Sequence, residues 1–132
     1  KIKYVTGTGN IFDDISLDIK NKYIVIYIPE EKISTFDAYQ AINPKKSDYY
    51  LKDVLENENI ENWSNFIRND FEEFAFNKIT ILKKIKNSLK NKGAKYISLS
   101  GSGSAVFGIF DDKKSTDYFI GHKNIYITKV IN

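Results

Sequence analysis

Residues 96–110 read Tyr-Ile-Ser-Leu-Ser-Gly-Ser-Gly-Ser-Ala-Val-Phe-Gly-Ile-Phe, which is two apolar segments joined by a run of serine and glycine. β-Branched and aromatic residues favour strands, so the pattern predicts strands over 96–99 and 105–110. Glycine and serine favour turns, and glycine can take positive φ values that other residues avoid. The stretch therefore predicts a β-hairpin.

The turn Ser100–Ser104 permits two interpretations from its residues alone. Successive N–H groups in a glycine-rich turn can form a concave anion site, with serine hydroxyls as further donors. The same residue types also occur in plain hairpin turns that bind nothing. No Gly-Lys-Ser or Gly-Lys-Thr follows, so this is not a Walker loop, and Val106 occupies the third glycine position of a dinucleotide fingerprint. An anion bound here would be held by the turn itself.

Hydrophobic periodicity predicts further strands and helices on both sides of the hairpin. We predict strands over 3–6, 22–28 and 124–128, helices over 34–42, 49–55, 60–67 and 71–92, and a short helix after residue 112. The unbroken apolar run 22–28 is typical of a central strand covered on both faces. Ser34 with Asp37, and Asp70 with Glu73, fit helix N-caps. Helices interspersed with strands predict an α+β fold with a largely antiparallel sheet.

The composition indicates a globular chain and excludes several kinds of site. The 132 residues are 42% hydrophobic and 28% charged, which suits one domain. The absence of cysteine excludes disulfides, cysteine–zinc sites and cysteine nucleophiles, and fits a cytoplasmic location. No apolar run approaches the roughly 20 residues of a membrane helix. The net charge of +3 includes one arginine, Arg68, which argues against sequence-specific nucleic-acid binding.

Three further features of the composition bear on function. The chain contains no methionine, which we interpret as the sign of a piece of a longer protein or of a product of processing. His122 is the only histidine and lies in a Gly-His-Lys-Asn turn, so we expect a surface role and no transition-metal site. Nine tyrosines, nine phenylalanines and a basic pI leave open a free-standing α+β binding module for nucleic acid or a small ligand.

Residues 99–110 resemble the third conserved motif of the GHMP kinases, in the form seen in the diphosphocytidyl-methylerythritol kinases. Three other stretches match that family in the right order. Gly7-Thr8-Gly9 matches the glycine turn of its domain junction, and Pro29 with Ile33-Ser34-Thr35 matches the loop into its substrate-facing helix. Asn69-Asp70-Phe71-Glu72 resembles its Asn-Asp-Leu-Glu helix start. Two positions depart from the pattern, since Asn10 replaces a glutamate and Asn77-Lys78 stands where a proline commonly opens the long helix.

The resemblance implies a ferredoxin-like GHMP kinase C-terminal domain over residues 1–132, with helices on one face of a mostly antiparallel sheet. It implies an ATP- and Mg²⁺-dependent kinase that phosphorylates a hydroxyl of 4-diphosphocytidyl-2-C-methyl-D-erythritol in isoprenoid precursor biosynthesis. The ATP loop and a catalytic Asp–Lys pair would lie in an N-terminal domain absent from this chain. We therefore expect no catalytic residue, no metal, no bound cofactor and no turnover here. A kinase of the homoserine or mevalonate type remains an alternative.

The resemblance also implies which residues face the substrate. Tyr39 would stack on the cytosine ring, although it could equally be the buried face of an amphipathic helix. Thr35 could hydrogen-bond the substrate or help cap the helix, and Asp37 fits a cap better than a catalytic base. The predicted phosphate-proximal loop is Ser100, Gly101, Ser102, Gly103 and Ser104. The predicted domain-junction turn is Gly7, Thr8 and Gly9.

Overall fold

The computed structural model describes residues 2–131 as strands, α-helices and 3₁₀ helices interspersed along the chain. The strands are β1 (Lys3–Thr6), β2 (Ile11–Asp14), β3 (Tyr23–Tyr27), β4 (Tyr96–Leu99), β5 (Val106–Phe110) and β6 (Ile125–Lys129). The helices are α1 (Thr35–Ala41), α2 (Leu51–Asn57), α3 (Glu72–Lys78) and α4 (Ile81–Asn91), with 3₁₀ helices at Ile60–Asn65 and Lys114–Phe119. The predicted α+β class is confirmed.

Four strands form an antiparallel sheet in the order β4-β5-β3-β6, and β1 pairs with β2 as a separate hairpin. β3 lies inside the sheet between β5 and β6, as its unbroken apolar run predicts. The predicted hairpin of β4 and β5 is confirmed, with Leu99 opposite Val106 at its closed end. β4 and β6 are the edge strands of this sheet.

One face of the sheet, here called the first face, carries the larger core. Val25 of β3 and Phe110 of β5 are fully buried there, beneath residues of α1, α3 and α4. Gly108 of β5 allows α4 to approach closely, because a Cβ at that position would lie 3.2 Å from Leu89 Cδ2. Helix α4 therefore rests directly on the β4–β5 hairpin.

The opposite or second face carries a smaller core around Trp63 of the first 3₁₀ helix. Its ring meets Tyr96 of β4 edge-to-face at 5.5 Å, and its indole N–H donates to the Glu58 carbonyl at 3.1 Å. Val54 of α2 and Ile109 of β5 complete this cluster. Helices α1, α3 and α4 lie on one face, as predicted. The prediction that all helices lie on that face is wrong, because α2 and the first 3₁₀ helix cover the other face around Trp63.

The predicted helix over 71–92 is wrong as a single helix, since the structure divides it into α3 and α4. Ile79 leaves the helical conformation at φ −117° and ψ 89°, and its side chain is buried. Apolar spacing continues on both sides of this joint, so periodicity alone does not reveal it. Among residues 2–131, no helix combines the length and apolar character that crossing a membrane requires.

The predicted N-cap is correct for α1 and wrong for α3. Ser34 Oγ accepts a hydrogen bond from the Asp37 N–H at 3.3 Å, which confirms the predicted cap of α1. The cap predicted at Asp70 is wrong, because that carboxylate instead pairs with Arg68 at 3.1 Å. Asn69 Oδ1 accepts from the Phe71 N–H at 3.0 Å, one residue before α3 begins. The polar group that starts this helix is therefore Asn69.

Candidate functional site

The turn between β4 and β5 is closed by two backbone hydrogen bonds. The Ser100 N–H donates to the Ala105 carbonyl at 2.8 Å, and the Gly103 N–H donates to the Ser100 carbonyl at 3.0 Å. Gly101 has a φ of 56° and Gly103 a φ of 98°, values that glycine adopts without a steric cost. The two glycines thus let five residues reverse the chain with a defined backbone path.

Several donors of this turn are free to meet a ligand. Within the described residues, the N–H groups of Gly101, Ser102 and Ser104 form no hydrogen bond. The hydroxyls of Ser100, Ser102 and Ser104 likewise have no partner among residues 2–131. Free N–H groups of a turn that alternates between positive and negative φ are typical of anion sites. The turn can therefore offer backbone and hydroxyl donors to an anionic ligand.

The turn is attached to the start of α3 by the side chain of Asn69. Its Nδ2 donates to the Leu99 carbonyl at 3.0 Å and to the Gly101 carbonyl at 2.8 Å. The Glu72 carboxylate accepts from the Leu99 N–H at 3.0 Å and also pairs with Lys86 of α4 at 3.1 Å. The end of β4 and the turn are thus held by side chains at the start of α3, one of which also pairs with α4.

Helix α1 presents Tyr39 to solvent beside this region. The Tyr39 side chain is 62% exposed, whereas Ala38 is the buried residue of the helix. The Tyr39 ring meets Phe71 edge-to-face, with centroids 5.0 Å apart. The alternative that Tyr39 forms the buried face of α1 does not hold. Its ring is fixed on one edge and has accessible surface for a planar ligand.

Thr35 is the first residue of α1 and is exposed. The capping bond of this helix comes from Ser34. Thr35 has no hydrogen-bond partner among the described residues, so its hydroxyl is not used to cap the helix. Asp37 pairs with Lys78 of α3 at 3.7 Å, which accounts for its charge without a catalytic role.

The turn, α1 and α3 meet on the first face of the sheet. A Cβ on Gly103 would lie 3.1 Å from Ile33 Cδ1, so the turn contacts the segment that leads into α1. On the other side, Asn69 binds the turn while Phe71, two residues later, contacts Tyr39. The predicted loop and the predicted stacking residue are therefore on the same side of the protein.

The predicted junction turn lies at the tip of the β1–β2 hairpin and belongs to another region. Gly7 and Gly9 have φ values of 67° and 87°, and the Gly9 N–H donates to the Thr6 carbonyl at 3.3 Å. The Thr8 N–H donates to Asn10 Oδ1 at 3.1 Å. None of the hydrogen bonds or ring contacts of this turn within residues 2–131 reaches Ser100–Ser104.

Two open clefts flank the Asn69–Glu72 segment. One, of about 540 Å³, runs along edge strand β4 and includes Arg68, Lys86 and Tyr96 in its lining. The other, of about 770 Å³, lies between the end of α1 and α3. Burial raises the pKa of the Tyr96 hydroxyl at the floor of the first cleft. Neither cleft is lined by the serine–glycine turn or by Tyr39.

The described part of the chain offers no cage for a metal ion. No group of three or more histidine, aspartate or glutamate side chains within residues 2–131 could hold one. The acidic residue at the site, Glu72, already accepts from a backbone N–H and pairs with Lys86. The groups that a ligand could meet here are the free donors of the turn and the exposed ring of Tyr39.

A protein-family model described as GHMP kinases C terminal matches residues 50–117, about half of the chain. The chain belongs to the GHMP kinases. The match covers Asn69–Glu72 and the serine–glycine turn, which are the parts of the site that hydrogen bonds join. The family predicted from those motifs is confirmed.

Two curated relatives of this GHMP kinase domain carry the same name. The chain is 37% identical over 114 residues to the 4-diphosphocytidyl-2-C-methyl-D-erythritol kinase of Bacteroides fragilis, covering 86% of this chain and 41% of that protein. It is 33% identical over 139 residues to the kinase of the same name from Chlorobium phaeobacteroides, covering 97% of this chain and 48% of that protein. The chain thus spans less than half the length of these relatives.

Solved structures support the fold of the GHMP domain. A crystal structure of 4-(cytidine 5′-diphospho)-2C-methyl-D-erythritol kinase superimposes with a TM-score of 0.71 at 20% identity, covering 96% of this chain and 48% of that one. Homoserine kinase from Cytophaga hutchinsonii superimposes with a TM-score of 0.53 at 18% identity, covering 90% and 45%. At these identities the comparison establishes the fold.

Sequence reasoning missed the part that Asn69 and Glu72 play at the site. Their motif was recognised as the start of a helix, with the cap assigned to Asp70. The structure shows that the two side chains reach the end of β4, about thirty residues away in sequence. The sequence does show two polar residues three positions apart at the start of an apolar helix. It does not show which main-chain groups they bind.

Proposed function

We propose that this chain is the substrate-side, C-terminal domain of an ATP-dependent kinase that phosphorylates a hydroxyl of 4-diphosphocytidyl-2-C-methyl-D-erythritol. The observation that carries the proposal is the free donor set of Ser100–Ser104 on the same side as exposed Tyr39. The curated relatives supply the substrate, since their names agree at 33–39% identity. A cytidine diphosphate has an anionic part and a planar base, which are the two groups that these residues suit.

In this proposal the turn binds the charged part of the substrate. Phosphoryl transfer depends mainly on positioning and on stabilising charge, and backbone donors supply both without reorganisation. The N–H groups of Gly101, Ser102 and Ser104 are already free and held by the turn geometry. Hydrogen bonds from such donors to phosphate oxygens are charge-assisted and stronger than neutral ones.

Tyr39 stacks on the cytosine ring in the same proposal. Its contact with Phe71 restrains the ring before the ligand arrives, which lowers the entropy lost on binding. Stacking of a base on an aromatic side chain is worth about 1–3 kcal/mol. The Thr35 hydroxyl lies one turn before Tyr39 on α1 and is free to donate to the substrate.

ATP and its Mg²⁺ enter through the other half of the kinase in this proposal. The residues described here have no acidic or histidine cluster for a metal, and phosphate oxygens are the usual Mg²⁺ ligands in kinases. ATP supplies the phosphoryl group, and this chain binds and orients the acceptor. The chain contributes no catalytic residue and turns over no substrate by itself.

The test joins this chain to the N-terminal part of the Bacteroides fragilis kinase. We expect the joined protein to phosphorylate 4-diphosphocytidyl-2-C-methyl-D-erythritol with ATP, and each part alone to be inactive. The intact Bacteroides fragilis kinase is the positive control, and transfer of the labelled γ-phosphate is the measurement. ATP turnover by this chain alone would refute the division between the two halves. A folded joined protein that phosphorylates homoserine instead would refute the substrate.

A further inference from the structure

We propose that Asn69 and Glu72 are positioning residues that replace a neighbouring β-strand at the edge of β4 and thereby aim the Ser102 N–H at the substrate. The inference deepens the proposed function and depends on it for its catalytic meaning. Its geometric part concerns only the conformation of the turn. That part can be tested in this chain without any kinase activity.

The first step concerns the open edge of β4. An edge strand presents N–H and C=O groups that no neighbouring strand satisfies. At Leu99, the last residue of β4, the N–H donates to Glu72 Oε1 and the carbonyl accepts from Asn69 Nδ2, both at 3.0 Å. Two side chains from one short segment thus make the two hydrogen bonds that an adjacent strand would make.

The second step concerns the orientation of Asn69. Its two Nδ2 hydrogens have two carbonyl acceptors, those of Leu99 and Gly101, and its Oδ1 accepts from the Phe71 N–H. This pattern determines which way the amide faces, because the reverse orientation would point an oxygen at two carbonyls. Asn69 is therefore locked by the start of α3 on one side and by the turn on the other.

The third step follows from the geometry of a trans peptide, in which the carbonyl of one residue and the N–H of the next point in opposite directions. The Leu99 carbonyl points to Asn69, and the Ser100 N–H accordingly points the other way, to the Ala105 carbonyl. The Gly101 carbonyl also points to Asn69. The Ser102 N–H must then point away from Asn69, and it has no partner within residues 2–131.

Glu72 adds a connection to α4. Its second oxygen pairs with Lys86 at 3.1 Å, and the Lys86 ammonium also lies 5.2 Å from the centre of the Phe76 ring. The Glu72 side chain is 23% exposed, so solvent screens this pair only in part. The end of β4 is thus tied to the α3–α4 pair through one carboxylate.

The decisive variant is Asn69→Asp, which keeps the size of the side chain and the acceptor for the Phe71 N–H. It removes both donors and places a carboxylate against the Leu99 and Gly101 carbonyls. ¹⁵N relaxation of this chain without ligand should show order parameters for 101–104 falling from about 0.85 to below about 0.6, with β3 and β5 unchanged. Asp70→Asn is the matched control, because it breaks only the exposed pair with Arg68.

A turn that stays rigid in Asn69→Asp would overturn the inference. Glu72→Gln gives a second check, because it keeps an oxygen for the Leu99 N–H while removing the charge that pairs with Lys86. We expect Glu72→Gln to retain the rigid turn and Glu72→Ala to lose it. A mobile turn in both Glu72 variants would show that the Lys86 pair, and not the bond to Leu99, holds the strand end, and a rigid turn in both would show that Glu72 does not hold it; either result would overturn the part assigned to Glu72.

The kinase assay tests the substrate-facing half of the inference. In the joined kinase, Asn69→Asp should raise KM for the cytidyl substrate about tenfold, the effect of one charge-assisted hydrogen bond, with kcat nearly unchanged. A general loss of folded protein would instead lower the apparent kcat at constant KM. A mobile turn with an unchanged KM would refute the aiming of Ser102. Inactivity of the joined wild-type protein would count against the proposed function alone.

Discussion

Substitution of Gly103 by alanine tests whether the serine–glycine turn is packed against the entry to α1. Gly103 has a φ of 98°, and a Cβ there would lie 3.1 Å from Ile33 Cδ1 and 3.5 Å from Leu99 Cδ1. Such a φ costs a residue with a side chain about 1–3 kcal/mol. Because Ile33 and Leu99 are buried, they can shift little to relieve the contact. We expect Gly103→Ala to lower the free energy of unfolding by about 2–3 kcal/mol.

Gly101→Ala is the matched control within the same turn. Gly101 has a φ of 56°, close to the left-handed helical region, and nothing lies within 4 Å of the added Cβ. Its cost should be about 1 kcal/mol. With an unfolding entropy of about 2.1 cal/mol/K per residue, each kcal/mol lowers the Tm of 132 residues by about 3.5 °C. We therefore expect Tm losses of about 7–10 °C for Gly103→Ala and about 4 °C for Gly101→Ala.

Thermal unfolding followed by circular dichroism, with urea titration as a second method, measures both variants. The reasoning is refuted if Gly103→Ala is no more destabilising than Gly101→Ala. That result would mean that Ile33 does not confine the turn. A turn free of Ile33 would also lose its argued proximity to Tyr39.

Two further variants test the stacking residue and a surface ion pair. Tyr39→Ala should raise KM of the joined kinase for the cytidyl substrate about 5- to 150-fold, as the loss of about 1–3 kcal/mol predicts. Tyr39→Phe should keep the wild-type KM in the same initial-rate assays. Equal increases in KM for the two variants would assign the role to the hydroxyl and not to the ring. The hydrogen bond from Lys22 lowers the pKa of the Asp111 carboxyl, so its stabilisation is present at neutral pH and is lost as pH falls through that lowered pKa. Asp111→Asn should therefore lower the free energy of unfolding by less than about 1 kcal/mol in urea titrations at pH 7, because the pair is half-exposed. The substitution should have no effect on this free energy once the wild-type carboxyl is protonated. A cost that persists in acid would contradict this assignment.

Much of the fold could be predicted because its signals are local. The run Tyr23–Tyr27 shows its central position in its β-branched and aromatic residues, and the serine–glycine turn marks the β4–β5 hairpin. Strand β2 was not predicted, because its residues Ile-Phe-Asp-Asp are all exposed and show no alternation between a buried and a solvent face. The break at Ile79 was missed because its apolar spacing is the same as that of a continuous helix.

The candidate site could likewise be predicted from the sequence only in part. The glycines at 101 and 103 are recognisable from residue type, and Tyr39 is recognisable through the resemblance to the GHMP kinases. The bonds of Asn69 and Glu72 to Leu99 are not, because each joins a polar side chain to a main-chain group that any residue possesses. Such contacts leave no mark in the sequence of the partner strand. Only the three-dimensional arrangement of α3 beside β4 reveals them.

The fluorescence of Trp63 reports on the core of the second face. It is the single tryptophan of the chain, and it lies buried against Tyr96, on the side of the sheet opposite the turn and Tyr39. Its fluorescence emission therefore follows the layer formed by α2 and the first 3₁₀ helix, whereas ellipticity follows the helices of both layers. Coincident unfolding midpoints from the two signals would identify the layers as one cooperative unit. Ligands that occupy the first face should leave the emission of this indole unquenched.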